Sequence, residues 1–529
     1  MYDLLDEDLI GVRTSTTSRR VSLPLLLGLL CDGQVHGYTG LRAHQTAPWH
    51  VFLVQLAASI LARRPQEQPP CDPIFWRDGL RELAEGQASA WHLIEDDVTQ
   101  PAFLQHPWTS WEAEAGSFRA QKKRGAWVFD PKARTPDELD VLVTAKNHDV
   151  KGRRIAPTDI EAWLYALMVS QTTNGVLGAG NYGILRMNSG YGSRAIVSWG
   201  SSVHPSRRLL EELAILGDLR TSGIRQHGYC ERGVVLTWLQ KWDRKTHQYM
   251  PQDLEPWFIE ACRPLRLRTK LDGSVVALSA TSDARQVGPK NLQNGDVGDP
   301  WTAINVADKK KGRSALTVPR SGFTPKLVTE LLFEQGFELT GLQKPRPGKE
   351  PGWLLASVLV RGQGTTEGFH HLELMVPAKA CLTLARLDER QQLARLAQSL
   401  LADAKEASAA LRTALTIFVE GGGEKPDFDR DAVKRWVEVV TVRFGQMWEQ
   451  YYFPALWRGA DEAGDAVQRD WQDHLVRMTQ TLLEDALSRL PGTASRRWRA
   501  ETRARGALFG ILKKKHILPA RSVTEEDFA

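Results

Sequence analysis

The sequence predicts an α+β protein: a large mixed N-terminal domain with irregular loops, residues 1–376, followed by an all-α C-terminal four-helix bundle, residues 377–529. Three observations carry that expectation. Short apolar segments of strand and helix length follow one another through the first part, broken by glycine, proline and basic loops. Two runs, Trp353 to Val360 and Phe369 to Val376, read as the strands of a hairpin. Beyond Pro377 the composition turns to helix formers with apolar residues three and four apart, the pattern of amphipathic helices that pack together.

The 529 residues suffice for sizeable cores, and 42% hydrophobic with 25% charged residues is an ordinary globular composition. A net charge of +5 is too small to argue for a nucleic-acid partner, so local clusters have to carry that argument. The five cysteines, Cys31, Cys71, Cys230, Cys262 and Cys381, form no CxxC pair, which suits a reducing cytoplasm and gives no zinc site or disulfide framework. The histidines show no HExxH or other ligand spacing, so no metal is expected. An acidic start, Asp3, Asp6, Glu7 and Asp8, does not read as a signal peptide, and the apolar run Trp49 to Ala62 is too short to span a bilayer. The expectation is a cytoplasmic protein with no membrane partner.

In chain order, Leu9 to Thr14 and Arg20 to Ser22 read as short strands around a Ser/Thr turn, followed by helices near Leu23 to Leu30 and Pro48 to Arg64. Pro65 to Pro73 is a break, Ile74 to Glu85 a helix, and Pro101 to Gln105 a buried apolar turn. Thr135-Pro-Asp-Glu138 is a capping box with proline in the first helical position. Val143 to Arg154 is a polar, mostly basic loop, and Thr158 with Glu161 caps a helix running to Gln171.

Six glycines then fall between Ser170 and Arg194. So little side chain builds no core, and such a segment serves to bring backbone close to a partner or to turn tightly. Gly178-Ala-Gly180-Asn-Tyr-Gly183 matches the dinucleotide fingerprint GxGxxG, but a helix precedes it, a strand from Ala195 to Trp199 follows, and the acidic residue expected about 20 positions on is missing. A helix from Ser206 to about Gly217 leads into irregular chain with strands at Val234 to Trp238 and Val275 to Ala280. From Thr281 to Lys326 the chain carries Arg285, Lys290, Lys309, Lys310, Lys311, Arg313, Arg320 and Lys326 against four acids; a solvated loop and a phosphate-contacting surface both fit.

The hairpin joins its strands through Arg361-Gly-Gln-Gly-Thr-Thr-Glu-Gly368. Gln363 between two glycines is either part of a mobile turn or a protruding amide whose donor and acceptor meet a base edge in a groove. The bundle begins with a helix from Leu387 to Glu420, stopped by Gly421-Gly-Gly423. A second, Asp431 to Tyr452, sets Val433, Trp436, Val440, Phe444, Met447 and Tyr451 on one face; a third carries Trp471, Leu475, Met478, Leu482 and Leu487. The fourth, Ser495 to Lys515, has eight Lys or Arg and one Glu, a solvated face or an attractor of acidic partners.

These residues carry a resemblance. Leu5 to Arg13 resembles the opening strand motif of the CasA family, the large subunits of Cascade, the type I-E CRISPR surveillance complex. Pro101-Ala-Phe-Leu-Gln105 resembles that family's Pro-Phe-Met-Gln-like turn, and Ala410 to Gly421 is similar to its bundle helix. The resemblance runs from the N-terminus through the final helix. It implies a non-catalytic subunit without cofactor that inspects duplex DNA for the protospacer-adjacent motif, promotes strand opening and R-loop formation, and helps recruit a trans-acting helicase-nuclease. Its implied partners are the other Cascade subunits with CRISPR RNA, double-stranded target DNA and the displaced strand.

By position the resemblance also implies site residues: a motif-reading loop at Lys146, Asn147 and His148, a glycine loop at Gly178, Ala179, Gly180 and Asn181, a wedge at Gly362, Gln363 and Gly364, and a lysine finger at Lys290 with Lys309 to Lys311 as rivals. The chain lacks the cysteine-paired zinc-ribbon-like insertion that some members of the family carry, and departs from the pattern in a more basic loop around Lys146 and in Asn181 where another glycine is common. Alternatives are a large subunit of another type I effector with a different motif, and a nucleotide-binding enzyme using Gly178 to Gly183.

Overall fold

A computed structural model of the chain describes residues 2–108, 130–140, 159–188, 192–289, 292–310, 312–362, 365–423, 427–489 and 494–518. It is α+β with a helical C-terminal region. Two compact units divide it: one holds residues 1–323, 334–345 and 352–375, the other residues 324–333, 346–351 and everything from Val376 onward.

The first unit opens with strands β1 (Ile10–Arg13) and β2 (Ser18–Val21), paired antiparallel across the Ser/Thr turn, with β3 (Gly37–Tyr38) on the other edge of β1. Helix α1 (Leu23–Cys31) follows, and then α2 (Ala43–Arg63), the axis of the core. The sequence reading started α2 at Pro48; instead it starts one and a half turns earlier, because the Gln45 side chain returns to accept from the Arg42 N–H at 3.0 Å and leaves Pro48 inside. Trp49 stacks on Phe52 and meets Tyr165 edge-on at 5.2 Å, while Phe103 packs edge-on against Phe52 at 5.6 Å. Phe103 belongs to the Pro101–Gln105 turn, buried as expected, whose Gln105 amide donates to the carbonyls of Leu93 and Phe103 and accepts from Leu267 N. That turn plugs the core with an aromatic, and its one glutamine meets backbone groups of the turn and of two neighbouring segments.

Helices α3 (Pro73–Leu83) and α4 (Pro136–Leu139) come next; Thr135 accepts from the Glu138 N–H as a cap should. Helix α5 (Ile160–Thr172) is buried on nearly every side. Glu161 does not cap it: its carboxylate turns inward to accept from Gly11 N at 2.7 Å and the Tyr165 hydroxyl at 2.8 Å, and Thr158 lies outside the described residues. Strand β5 (Ile196–Gly200) leads to α6 (Pro205–His227), which runs ten residues past the expected end at Gly217. Gly217 faces open space and is tolerated there, whereas Gly228, at φ 73°, supplies the left-handed cap that stops the helix.

The remaining strands are β4 (Asp130–Ala133), β6 (Val234–Leu236), β7 (Leu254–Ile259), β8 (Leu265–Thr269), β9 (Val275–Ser279), β10 (Ile304–Asn305), β11 (Ser314–Ala315), β12 (Phe337–Glu338), β13 (Gly352–Gly362) and β14 (Thr365–Val376). They form small sheets in the orders β4-β9-β8, β11-β10-β12 and β14-β13-β5, with β6 and β7 parallel. The hairpin strands extend further than the sequence indicated: only positions 363 and 364 separate them, so Thr365 to Gly368 belong to β14 and not to a long polar tip.

The helical unit contains α7 (Pro325–Leu332), α8 (Ala378–Ala385), α9 (Leu387–Val419), α10 (Asp431–Arg458), α11 (Gly464–Arg489) and α12 (Ala494–Lys514). Helix α9 is packed by α10, α11 and α12 and stops where Gly421 and Gly422 turn to positive φ. Trp471, Leu475, Met478, Leu482 and Leu487 of α11 are buried as expected, Trp471 donating to the Leu400 carbonyl at 2.9 Å. On α10 the buried face differs from the expected one. Val433, Val437, Phe444, Tyr452 and Leu456 are inside, while Trp436 and Tyr451 face out. Tyr452 is fixed by a 2.8 Å hydrogen bond with Thr329 of α7, a partner no local periodicity could indicate. Part of the basic face of α12 is paired from within: Arg505 grips Glu484, Arg497 meets Glu501, and Lys515, just beyond it, meets Glu406. Among the described residues no helix is long and apolar enough to cross a membrane.

Candidate functional site

The glycine segment is a closed loop. Thr172 and Thr173 turn their hydroxyls back onto the carbonyls of Met168 and Val169, loosening the end of α5. Asn174 then bridges to Ser193, Gly175 N donates to the Gly192 carbonyl at 3.0 Å, and Arg194 N to the Thr173 carbonyl at 2.8 Å. At the far end Leu177 N and the Asn181 carbonyl, 2.9 Å apart, close a turn around Gly178, Ala179 and Gly180. Gly178 at φ 121° and Gly180 at φ 72° hold conformations that side chains resist. Ala179 is exposed at the tip, and among the described residues no acceptor meets the N–H groups of Gly178, Ala179 and Gly180. The Gly180 carbonyl, in contrast, is fixed by Ser282 N at 2.8 Å.

Buried charge anchors the base of this loop. Arg263, almost fully buried, donates to the carbonyls of Ser170, Asn174 and Gly175. Arg194 makes a two-point pair with Asp299, and Arg186 lies 3.7 Å over the Phe258 ring while donating to its carbonyl. Glu260 accepts from Leu185 N at 2.8 Å; burial pushes its carboxyl above the usual range, with Arg285, Arg186 and Arg263 opposing. A cluster of this kind is held in place by removing all alternatives: each charge is buried, so movement of the loop base would strand one of them.

The hairpin reaches the same end of the sheet. β13 pairs antiparallel with β5, Trp353 opposite Gly200 and Ser357 opposite Ile196. Arg361 is half-buried, and burial, followed by the neighbouring Arg263 charge, pushes its guanidinium down to about 10. Gly362 follows it, and a side chain there would have to displace the Glu367 carboxylate.

Of the residues singled out from the sequence, Gly178, Ala179, Gly180, Asn181 and Gly362 are described; the first four form the turn held at Ser282, and Gly362 ends β13. Lys146, Asn147, His148, Lys290, Gln363 and Gly364 lie outside the described residues, as does Lys311. Lys309 and Lys310 are exposed. The basic stretch from Thr281 is not a uniform cationic surface: Arg285 is buried near Glu260, and Arg313 is pinned between Asp296 and Glu338 at 2.6 Å each, on the wall of a cavity of about 790 Å³. The dinucleotide context is missing, with a helix ahead of Gly178 and coil from Gly183 to Asn188. Among the described residues no group of three His, Cys, Asp or Glu is placed to hold a metal. Arg263 and Arg361 were not singled out; the only local signal was an arginine next to Gly362.

Fold and site together define a two-unit α+β protein with an exposed glycine-loop tip over a base of buried arginines. Solved structures with this fold are CRISPR-associated proteins. Cse1 from Acidimicrobium ferrooxidans is matched over 98% of this chain and 99% of its own, with a TM-score of 0.63 at 13% identity. Thermus thermophilus CasA (Cse1) is matched over 97% and 99%, with 0.58 at 13% identity. A chain of a CRISPR RNA-guided surveillance complex is matched over 96% and 99%, with 0.59 at 14% identity. At such identities the likeness is one of fold. No family model matches the sequence, and no curated protein does.

Proposed function

We propose that this chain is the large, non-catalytic subunit of a CRISPR RNA-guided DNA surveillance complex of type I-E. The observation that supports this reading most is the end-to-end fold correspondence with Cse1 and with a chain of a surveillance complex. In this reading guide pairing reads the target sequence and the protein reads the short motif beside it. The turn from Gly178 to Asn181, with Ala179 exposed at its tip, enters the minor groove, where base pairs differ little in hydrogen bonding and a flat surface excludes those carrying the guanine amino group. Gln363 at the hairpin tip is pushed between base steps, which costs a few kcal/mol of unstacking and favours strand opening. Lys146, Asn147 and His148 complete the motif reader, and Lys290 steadies the backbone.

The partners in this reading are the other Cascade subunits with CRISPR RNA, the target duplex and displaced strand, and a trans-acting helicase-nuclease; the setting is the cytoplasm, and no cofactor is required. The test is duplex binding and opening by the guide-loaded complex with wild-type chain, with Gln363→Ala, and without the chain, on targets differing only in the adjacent motif. Wild type is expected to discriminate and open its targets, Gln363→Ala to bind but open poorly, and the depleted complex to do neither. Equal behaviour of all three preparations would remove the motif-reading role.

A further inference from the structure

Helix α1 packs against α3, and the chain entering α3 rests directly on it: the Cys71 carbonyl oxygen lies 2.5 Å from where a Cβ on Gly28 would stand. Gly28, Cys31 and Asp32 share one face of the end of α1 at spacings of three and four, so a chain seated on Gly28 runs beside Cys31. The two thiols are accordingly neighbours, although Cys31 and Cys71 are far apart in the sequence. Burial, and after it the nearby Cys71 thiol, push the Cys31 thiol up to about 12, while burial and the Asp32 carboxylate push Cys71 above its ordinary range. Both holders of the pair are fixed. Asp32 N donates to the Gly28 carbonyl at 3.0 Å, and on either side of Cys71 the Trp76 indole donates to the Pro70 carbonyl at 2.7 Å and Asp72 accepts from Ile74 N at 2.9 Å. Cys71 is exposed and Cys31 half-buried, so a small reagent reaches the first thiol with the second close behind it. Cys262 and Cys381, in contrast, are buried, each with its Sγ donating to a backbone carbonyl.

We propose that Cys31 and Cys71 form a redox-modification site, a dithiol that a small-molecule disulfide such as glutathione disulfide closes to a reversible intramolecular disulfide. Cys71, having given its proton to solvent, attacks one sulfur of glutathione disulfide; a bond forms between Cys71 and glutathione, and one glutathione thiolate leaves. Cys31, deprotonated in turn, attacks the Cys71 sulfur, forms the bond to it and expels the second glutathione thiolate. The protein loses two protons and two electrons, and glutathione disulfide becomes two molecules of glutathione. The segment closed by the bridge contains β3 and all of α2, the axis of the core, so closure staples the end of α1 to the chain entering α3 and excess thiol opens it again. This site is independent of what the chain binds.

The full chain, beside Cys71→Ser and Cys31→Ala, is incubated under native conditions with glutathione disulfide, and its peptides are mapped by mass spectrometry without reduction. Wild type is expected to give a peptide linking Cys31 to Cys71 within one chain and to retain little glutathione. Cys31→Ala should keep glutathione on Cys71, and Cys71→Ser should leave Cys31 largely unmodified over the same time. Closure should raise the wild-type Tm by a few degrees, dithiothreitol should reverse the rise, and neither variant should show it. Because the link is read on wild type itself, the result does not depend on how well the variants fold. A wild-type chain whose two thiols stay free, that keeps glutathione on Cys71 without closing, or that links cysteines of two chains would overturn the proposal. A linked peptide that forms only above the Tm would overturn it too, since the native fold would then not hold the pair together.

Discussion

Gly178 and Gly180 sit two residues apart and carry different physical burdens. A Cβ at Gly178 meets nothing, so Gly178→Ala suffers only backbone strain at φ 121°, about 1 to 2 kcal/mol. At Gly180 the same methyl adds a 2.6 Å approach to Thr281 Cβ, and Gly180→Ala should lose at least about 1 kcal/mol more. Urea unfolding of the two variants measures the difference, and equal losses would show that Thr281 gives way freely. The glycine run announced a close backbone approach from the sequence alone. Which glycine leans on which neighbour was hidden, because Thr281 is a hundred residues away and only the folded chain brings it to Gly180.

Helix α10 shows the limit of periodicity at the next scale. Its apolar residues occupy more than one side: Val439 is 70% exposed and Val442 52%, while Val437 is 4% exposed. Several faces therefore satisfy a spacing of three and four, and the sequence favoured the one through Trp436 and Tyr451. Tyr452 decides the matter, since its hydroxyl is committed to Thr329 and drags the buried face round by one residue. Val437→Ala should accordingly destabilise by about 2 kcal/mol and Val439→Ala by less than about 0.5 kcal/mol, read from unfolding free energies. The reverse ranking would restore the face expected from the sequence. Strand and helix existence was legible through most of the chain because strong patterns persist over many residues; ends were less so, as with α6, where a mid-helix Gly217 mimicked a stop.

At the scale of the whole molecule, buried titratable groups give stability a direction in pH. Burial, with Arg244 adding to it, pushes the His106 imidazole from 6.5 down to about 4. The unfolded chain takes up that proton near pH 6.5 and the folded one does not, so this contribution is complete above 6.5 and is lost as pH falls towards 4. Glu212, although burial opposes its charge, is held down to about 2 by His50, Arg208 and the Trp301 N–H, and its contribution is lost only below about 4.5. Wild type should therefore lose about 2 kcal/mol more than His106→Phe between pH 6.5 and 5. Parallel stability curves for the two proteins would exclude the effect. None of this was legible in the sequence: His106 and Glu212 are ordinary there, and their environments exist only once distant segments have closed around them. The candidate site was legible in part for the same reason, its glycines visible as a run and its cations Arg263 and Arg361 visible only as neighbours in space.

The clasp of the glycine loop by Asn174, Ser193 and Arg263 separates inheritance from innovation. The closing contacts use backbone atoms and buried charge, and the exposed Ala179 side chain at the tip takes no part in them. On the proposed reading, an exchange at position 179 would alter what the loop prefers and leave its buried base unchanged.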